Sequence, residues 1–164
     1  MLTNTQLLTL KADIAADGAL SVVGMTSDGD YLIAAAYNST AIPDFWVWRP
    51  DMSVQEMVNG NPAGPGVDWS EYQVLSTQFQ SAFLALTQSP VIDATQANIR
   101  SAFGAIFTTA GSPNSRANLI AIARRKATRA EKLFAVGTGS TASPAIMAFI
   151  GALNLDDVRR ARAS

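Results

Sequence analysis

Apolar residues recur at three- and four-residue steps between residues 70 and 134, and this spacing limits the fold more than any other feature of the chain. It is the spacing of a helix with one buried face. Residues 70–88 form the clearest such segment, opened by a capping box at Ser70 and Gln73. A second helix is predicted to begin at Asp93 or Thr95, and a third at Ser112. Three such helices joined by short loops predict a small helical core.

Shorter elements surround this core. Residues 3–17 and 30–38 are predicted to be helices, and Asn154 caps a last short helix. Phe45–Trp48 is the most β-prone run of the first half. Residues 145–153 fit either a strand or a helix. We favour a strand that pairs with Phe45–Trp48, because a lone strand would leave backbone groups unpaired.

The predicted fold class is therefore mainly α, a small helical bundle with a minor two-stranded β element. A chain of 164 residues is expected to form a single domain, residues 1–164. The segment 59–66 contains three glycines and two prolines and is predicted to be a loop. It is the best candidate for a flexible segment or an internal boundary.

The stretch from Ser112 to Phe134 combines helical spacing with a high density of positive charge. Ser112 followed by proline is a favourable helix start, and Thr128 with Glu131 forms a second capping box. We predict two helices, or one helix with a break near Ala127. The stretch carries six of the twelve basic residues of the chain: Arg116, Arg124, Arg125, Lys126, Arg129 and Lys132.

The net charge of −1 hides an uneven distribution of charge along the chain. Residues 1–99 hold two cations and ten acids, a balance of −8, whereas residues 100–164 hold ten cations and three acids, a balance of +7. Such a chain can pair its own halves, stack against copies of itself, or offer the basic half to an acidic partner. Charged residues make up only 15% of the chain, which favours a surface partly covered by a partner.

Composition argues against several classes of function. The chain has no histidine and no cysteine, so the usual neutral-pH acid–base catalyst, disulfides and thiolate metal sites are absent. No carboxylate pair, including Asp68 with Glu71, has a spacing that indicates acid–base chemistry. We therefore expect no enzyme, no cofactor and no metal site. Neither a signal peptide nor a membrane span is recognisable, which predicts a soluble protein made in a cytoplasm.

Two polar segments superficially resemble ligand sites. The run Asp28-Gly29-Asp30 has the start of a calcium loop, but position twelve of that loop would be Ser39 rather than glutamate. A turn that leads into a helix cap is the better interpretation. Residues 137–141 resemble a phosphate-binding loop, but a helix precedes them and Pro144 follows. A flexible connector is the better interpretation there.

Trp46 and Trp48 point to one side of the predicted strand, and Phe45 and Val47 point to the other. Either the tryptophan side is exposed as a protein-binding anchor beside Arg49, or the strand is buried on both faces. The basic residues either meet acids, in the same chain or in a neighbouring copy, or contact nucleic acid through phosphates. The residues predicted to contact partners are Trp46, Trp48, Arg124, Arg125, Lys126, Arg129, Arg159 and Arg160.

The segment ATRAEKLFAVGTGSTASPA, residues 127–145, resembles a group of small tailed-bacteriophage proteins. The opening Leu2–Asp17, the VWR of Val47–Arg49 and the terminal residues 157–162 are similar to the same group. The resemblance covers most of the chain and brings no catalytic residues with it. It implies a structural part of the virion, assembled in the host cytoplasm, most plausibly a head–tail connector or adaptor in the neck. Proteins of that kind and size form rings.

The partners expected from this resemblance are copies of the chain itself in a ring, together with portal or tail proteins. A ring needs one patch that contacts a different patch on the next copy, and oppositely charged halves would supply such patches. Two alternatives remain: an accessory protein that binds nucleic acid, with non-specific contact to DNA, and a capsid decoration or tail-associated structural protein.

Overall fold

The computed structural model describes residues 1–164 as nine helices and six strands of two or three residues each. The predicted fold class, mainly α with a minor β element, is confirmed. The helices are α1 (Asn4–Ala16), α2 (Ser27–Asn38), α3 (Val54–Asn59), α4 (Trp69–Gln73), α5 (Thr77–Leu86), α6 (Ala97–Ile106), α7 (Pro113–Ile122), α8 (Arg129–Phe134) and α9 (Leu155–Ala163). The strands are β1 (Trp46–Trp48), β2 (Met52–Ser53), β3 (Val91–Ile92), β4 (Arg124–Lys126), β5 (Ala135–Val136) and β6 (Ile146–Met147).

Contacts within the chain group into two compact units, where the sequence was interpreted as a single domain. Unit 1 comprises Met1–Trp46, Lys126–Gly139 and Ala145–Ser164. Unit 2 comprises Val47–Arg125 and Ser140–Pro144. The chain passes from unit 1 to unit 2 within β1, returns within β4, and enters unit 2 once more at residues 140–144.

Unit 1 is built from α1, α2, α8 and α9, with the β5–β6 hairpin beside them. Leu7, Leu10 and Ile14 form the buried stripe of α1, as their spacing predicts. They belong to one apolar core with residues of the other three helices, including Ile33, Tyr37, Phe134 and Val158. Helix α2 begins three residues earlier than predicted because Thr26, rather than Asp30, accepts the capping bond from an N–H, that of Gly29.

Unit 2 has its own apolar core around Phe83 of α5, which is only 2% exposed. The ring of Phe83 lies 5.3 Å from that of Tyr72 and 5.6 Å from that of Phe107, in tilted or edge-on arrangements. Such aromatic pairs stabilise a core beyond the area that they bury. The β2–β3 pair joins Met52 to Ile92 at the edge of this core.

The segment predicted as one helix over residues 70–88 is two helices. Helix α4 is capped by Asp68, so the predicted capping box at Ser70 is wrong. The chain leaves helical geometry after α4, and Ser76 then caps α5 by accepting a bond from the N–H of Phe79. The second cap supplies an acceptor for a free N–H at the new helix start, which allows the helix to begin again after the break.

The basic stretch contains two helices, α7 and α8, as predicted, but the segment between them is a strand. Helix α7 ends at Ile122, and Arg124–Lys126 form strand β4 rather than the last turn of a helix. Strand β4 pairs with β1. The N–H of Ala127 bonds to Phe45 O at 2.8 Å, and that of Arg49 bonds to Ala123 O at 2.8 Å, so the two strands run antiparallel.

The predicted pairing of Phe45–Trp48 with residues 145–153 is therefore wrong. Only Ile146–Met147 of that segment is a strand, and it pairs with β5. A single backbone bond links the two regions, from Ala145 N–H to Trp46 O at 2.8 Å. Strand β1 does pair with another strand, as predicted. Its partner is β4, which lies in a segment whose apolar spacing predicted a helix.

The 59–66 segment forms a closed turn. Asn61 and Gly64 exchange backbone hydrogen bonds of 2.8 and 3.0 Å, and Gly60 and Gly66 have positive φ angles of 83° and 82°. A side chain on Gly60 would meet the backbone of Pro65 at 2.6 Å. Glycine is therefore required where the turn closes on itself; the predicted flexibility of this segment stays a prediction.

Candidate functional site

Arg129, a predicted partner contact, is held inside unit 1 by two acids of α1. Its Nη2 lies 2.8 Å from Asp13 Oδ2 and its Nη1 lies 2.7 Å from Asp17 Oδ2. The guanidinium also lies over the ring of Tyr37, 4.4 Å from its centroid. The hydrogen bond from Arg129 is the main cause that lowers the pKa of Asp17. Arg129 therefore joins α8 to α1 and α2.

Tyr37 is fully buried beside this arginine and donates its hydroxyl hydrogen to Asp13. Burial, followed by that hydrogen bond, raises the pKa of the Tyr37 phenol. A phenol held neutral in this way is a structural donor rather than a nucleophile. The cluster contains residue types that occur in active sites, but its contacts serve to pack the helices of unit 1 together.

The arginines of α9 include two predicted contacts and one that the sequence reasoning did not single out. Arg159 is 56% exposed and lies 3.2 Å from Asp156 and 3.6 Å from Asp30. Arg162 is nearly buried and lies 2.8 Å from Asp30, which is 5% exposed. Arg160 is half-buried, and its buried Nη1 makes no hydrogen bond. The carboxylate of Asp30, once considered as part of a calcium loop, is thus occupied by arginines.

Strand β4 carries the three consecutive cations that were predicted to contact partners. In unit 1, Lys126 Nζ lies 2.7 Å from Asp44 and 5.9 Å from the centroid of the Trp46 ring. In unit 2, Arg124 donates to the carbonyl of Thr141, and Arg125 is half-buried. These three positions lie on a strand rather than on one of the predicted helices.

The two tryptophans of β1 are half-buried, and Val47 between them is fully buried. Neither predicted alternative, an exposed tryptophan side or a strand buried on both faces, is therefore right, because the tryptophan side is only partly exposed. In unit 2, the guanidinium of Arg100 lies 5.5 Å from the centroid of the Trp48 ring. This cation–π contact orients Trp48 at the edge of the unit.

In unit 1, the cations of the basic half mostly meet acids of the acidic half. Lys126 contacts Asp44, Arg129 contacts Asp13 and Asp17, and Arg159 and Arg162 contact Asp30. Pairing within the chain was one of the alternatives that the sequence left open. The uneven distribution of charge therefore stabilises unit 1 itself, and it does not by itself identify an interface between copies.

An exposed apolar segment at residues 22–32 is a feature that the sequence reasoning missed. Val22 is 80% exposed, Met25 75%, Tyr31 64% and Leu32 59%. Tyr31 and Leu32 precede the buried Ile33 and lie on the outer side of α2. The sequence does contain a signal, since Val22 and Met25 are large apolar residues between the predicted helices at 3–17 and 30–38.

The loop at 137–143 is packed rather than arranged around a ligand. Gly139 has a φ of 63°, and its carbonyl accepts a 2.8 Å bond from the N–H of Trp46. A Cβ at Gly139 would lie 2.2 Å from the ring of Phe45. The glycine is needed because an aromatic ring fills the space that a side chain would take. Its role is structural.

No group of three acidic side chains converges as in a metal site. Every helix falls short of the length and apolar content that a bilayer-spanning helix requires. Comparisons with protein-family profiles, with curated protein sequences and with solved structures found no match to this chain.

Proposed function

We propose that this protein is a non-catalytic structural component of a tailed-bacteriophage virion, a head–tail connector or adaptor that assembles as a ring. The observation that carries the proposal is the exposed 22–32 segment, Val22, Met25, Tyr31 and Leu32. These four exposed side chains lie within eleven residues of sequence. Exposed apolar patches are typical of protein interfaces, and tyrosine and methionine are enriched there.

The residues that carry the resemblance to phage proteins are mainly packing residues of unit 1. Ala130 and Phe134 of α8 and Val158 of α9 are all buried in its core. Glu131 completes the capping box that starts α8. A resemblance of this kind concerns a scaffold rather than a set of reacting groups, which agrees with a structural role.

A ring requires a heterologous interface, in which one patch contacts a different patch of the next copy. Because three of the four arginines of unit 1 are already paired with its own acids, we expect apolar contacts rather than opposite charge to provide most of the interface energy. The 22–32 segment is one half of such an interface. Association driven in this way changes little with salt concentration.

The experiment is light scattering after size exclusion, together with detection of the protein in purified particles. The wild-type chain is expected to form a closed oligomer, alone or when portal or tail proteins are added, and to be present in virions. A chain that stays monomeric under all these conditions and is missing from purified particles overturns the proposal.

A matched pair of variants locates the interface. Leu32→Ser removes an apolar side chain that is 59% exposed in unit 1, and Leu84→Ser removes one that is 59% exposed in unit 2. Leu32→Ser is expected to weaken assembly at least tenfold while its melting temperature stays within about 2 °C of wild type. Leu84→Ser should assemble as the wild type does. Unchanged assembly of the Leu32→Ser variant would show that the 22–32 segment is not the contact.

Binding of nucleic acid is less well supported. The cations expected to meet phosphates include Lys126, Arg129 and Arg159, and each contacts a carboxylate of unit 1. Contact with DNA would show as an affinity that falls steeply with salt and is lost when Arg124, Arg125 and Lys126 are replaced by glutamate.

A further inference from the structure

Unit 2 contains a cavity of about 240 Å³ that no part of the proposed function uses. Its walls come from α6 and α7, with Trp48, Met52 and residues 142–143 at the sides. The lining residues Trp48, Arg100 and Arg116 are only half-buried, so the cavity reaches the surface. All lining residues belong to one compact unit, which makes the cavity a property of unit 2 alone.

The inner wall of the cavity is apolar and well fixed. Phe107 is 1% exposed and Leu119 is 6% exposed, and both belong to the core of unit 2. The rings of Phe103 and Phe107 both lie close to that of Phe83, at 6.4 and 5.6 Å between centroids. A wall of this kind favours an apolar group, because water inside it finds few hydrogen-bond partners.

Two arginines lie on the same cavity, and backbone carbonyls hold them in place. Arg100 Nη1 donates to Ala94 O at 2.9 Å and to Thr95 O at 2.6 Å. Arg116 Nη1 donates to Phe107 O at 3.2 Å. A guanidinium has five N–H groups, so most of those on each arginine are left for another acceptor.

Neither arginine has a carboxylate partner. No Asp or Glu oxygen lies within 4.0 Å of a side-chain nitrogen of Arg100 or Arg116, whereas Arg49, Lys126, Arg129, Arg159 and Arg162 all make such contacts. Beyond that distance, Arg100 attracts the carboxylate of Asp93. Two fixed positive charges at an apolar cavity complement an anion that carries an apolar group.

The size of the cavity narrows the choice of ligand. An apolar cavity of about 150 Å³ accepts benzene. Pockets for drug-sized molecules are larger, at about 300–1,000 Å³. A volume of about 240 Å³ therefore matches one large side chain and leaves a carboxylate at the arginines. A single buried anchor of this kind is how many protein interfaces concentrate their binding energy.

From this geometry we infer that unit 2 binds a protein partner through one large apolar side chain that sits in the cavity, with a neighbouring carboxylate of the partner on Arg100 and Arg116. This inference is independent of the ring, because it concerns unit 2 and another protein, whereas the proposed ring contact lies in unit 1.

The probe is a set of three short peptides added to the full chain: acetyl-Gly-Phe-Glu-Gly-amide, the same peptide with Gln for Glu, and the same peptide with Ala for Phe. Binding is followed by the indole N–H resonances in NMR spectra. The Trp48 resonance is expected to shift with the first peptide. Trp69, which is in unit 2 but not on the cavity, is expected to stay in place and serves as the internal control.

The Phe-Glu peptide is expected to bind at least about tenfold more tightly than the Phe-Gln peptide, because a charge-assisted hydrogen bond is replaced by a neutral one. The Ala-Glu peptide should show no saturable shift. Equal binding of the three peptides, or no shift of Trp48 at millimolar Phe-Glu peptide, overturns the inference.

Three variants separate binding from folding. Gly104→Leu fills the cavity from α6; the Cβ it adds would lie 3.1 Å from Arg116 Nη1, at the end of a long side chain that can shift by a few tenths of an ångström. This variant should keep its melting temperature and lose the Trp48 shift. Arg116→Met should bind at least fivefold more weakly, whereas Arg116→Lys should stay within threefold of wild type. A folded Gly104→Leu variant that binds as the wild type does places the peptide elsewhere and overturns the inference.

Discussion

Arg129 Nη2 donates to Asp13 Oδ2 at 2.8 Å, across 116 residues of sequence. The contact joins a cation of the basic half to an acid of the acidic half within unit 1. It also fixes the guanidinium over Tyr37, so that one arginine serves two acids and an aromatic ring.

Replacing Arg129 by methionine is expected to lower the free energy of unfolding by about 1–3 kcal/mol, because it removes charge-assisted bonds from partly buried carboxylates. Arg159→Met is the control, since Arg159 is 56% exposed and its contact to Asp30 is 3.6 Å long. The Arg159→Met variant should lose less than about 1 kcal/mol of the free energy of unfolding. Urea denaturation measures both. Equal losses would mean that the Arg129 cluster contributes no more than a surface ion pair.

The Glu56 carboxylate is predicted to make unfolding depend on pH in acid. The hydrogen bond from Arg49, with others from Asn61 and Ser53, lowers the pKa of Glu56 to about 2, against an ordinary value of 4.5. A carboxylate whose pKa is lower in the folded state stabilises that state above its unfolded pKa, and the stabilisation is lost as pH falls towards the folded pKa.

Glu56→Gln should therefore be about 1–2 kcal/mol less stable than wild type at pH 7, and this difference should shrink between about pH 4.5 and pH 2. Asp51→Asn is the comparison, because Asp51 also contacts Arg49 but its side chain is 71% exposed. Its effect should be smaller at every pH. A difference for Glu56→Gln that stays constant down to pH 2 would contradict the pKa assignment. The measurement is thermal unfolding over a pH series.

Gly139→Ala is expected to lower the free energy of unfolding by about 2–4 kcal/mol. The new Cβ would combine a positive φ of 63° with a distance of 2.2 Å to the Phe45 ring. Gly18→Ala is the matched control, since no heavy atom lies within 4 Å of its Cβ position. Melting temperatures compare the two. Tolerance of alanine at position 139 would show that the loop can move away from Phe45.

The first turn of α7 is capped by a side chain of α4. The cap could be assigned either to that side chain or to Ser112, and mutation distinguishes the two. The carboxylate of Glu71 accepts bonds from the N–H groups of Asn114 at 2.9 Å and Ser115 at 2.7 Å. Ser112 occupies the N-cap position, but its side chain makes no capping bond.

Glu71→Ala should therefore destabilise the chain by about 1–2 kcal/mol, and Ser112→Ala should change stability by less than about 0.5 kcal/mol. The ordinary sequence rule for helix caps predicts the opposite order. Chemical denaturation of the two variants decides which side chain caps α7.

Contacts between residues that are close in sequence can be predicted without knowledge of the fold. The capping box at Thr128 forms as predicted, and Asn154 caps the last helix as predicted. The buried stripe of α1 also follows from its spacing alone. A capping bond joins a side chain to an N–H three residues away, so its formation depends little on the rest of the fold. The mainly α fold class rests on the same local interactions.

Features that need a partner far along the chain follow only from the tertiary packing. Arg124–Lys126 is a strand because β1 offers backbone hydrogen bonds, although the apolar spacing through that segment suits a helix. Glu71 replaces Ser112 as the cap of α7 because α4 brings a carboxylate to its first turn. The pairing of the charges also depends on the fold. The sequence shows that acids and bases are separated along the chain, but only the packing of α1, α2, α8 and α9 brings Asp13 to Arg129 and Asp30 to Arg162. Attraction between charges depends on their distance in space and not on their separation in sequence.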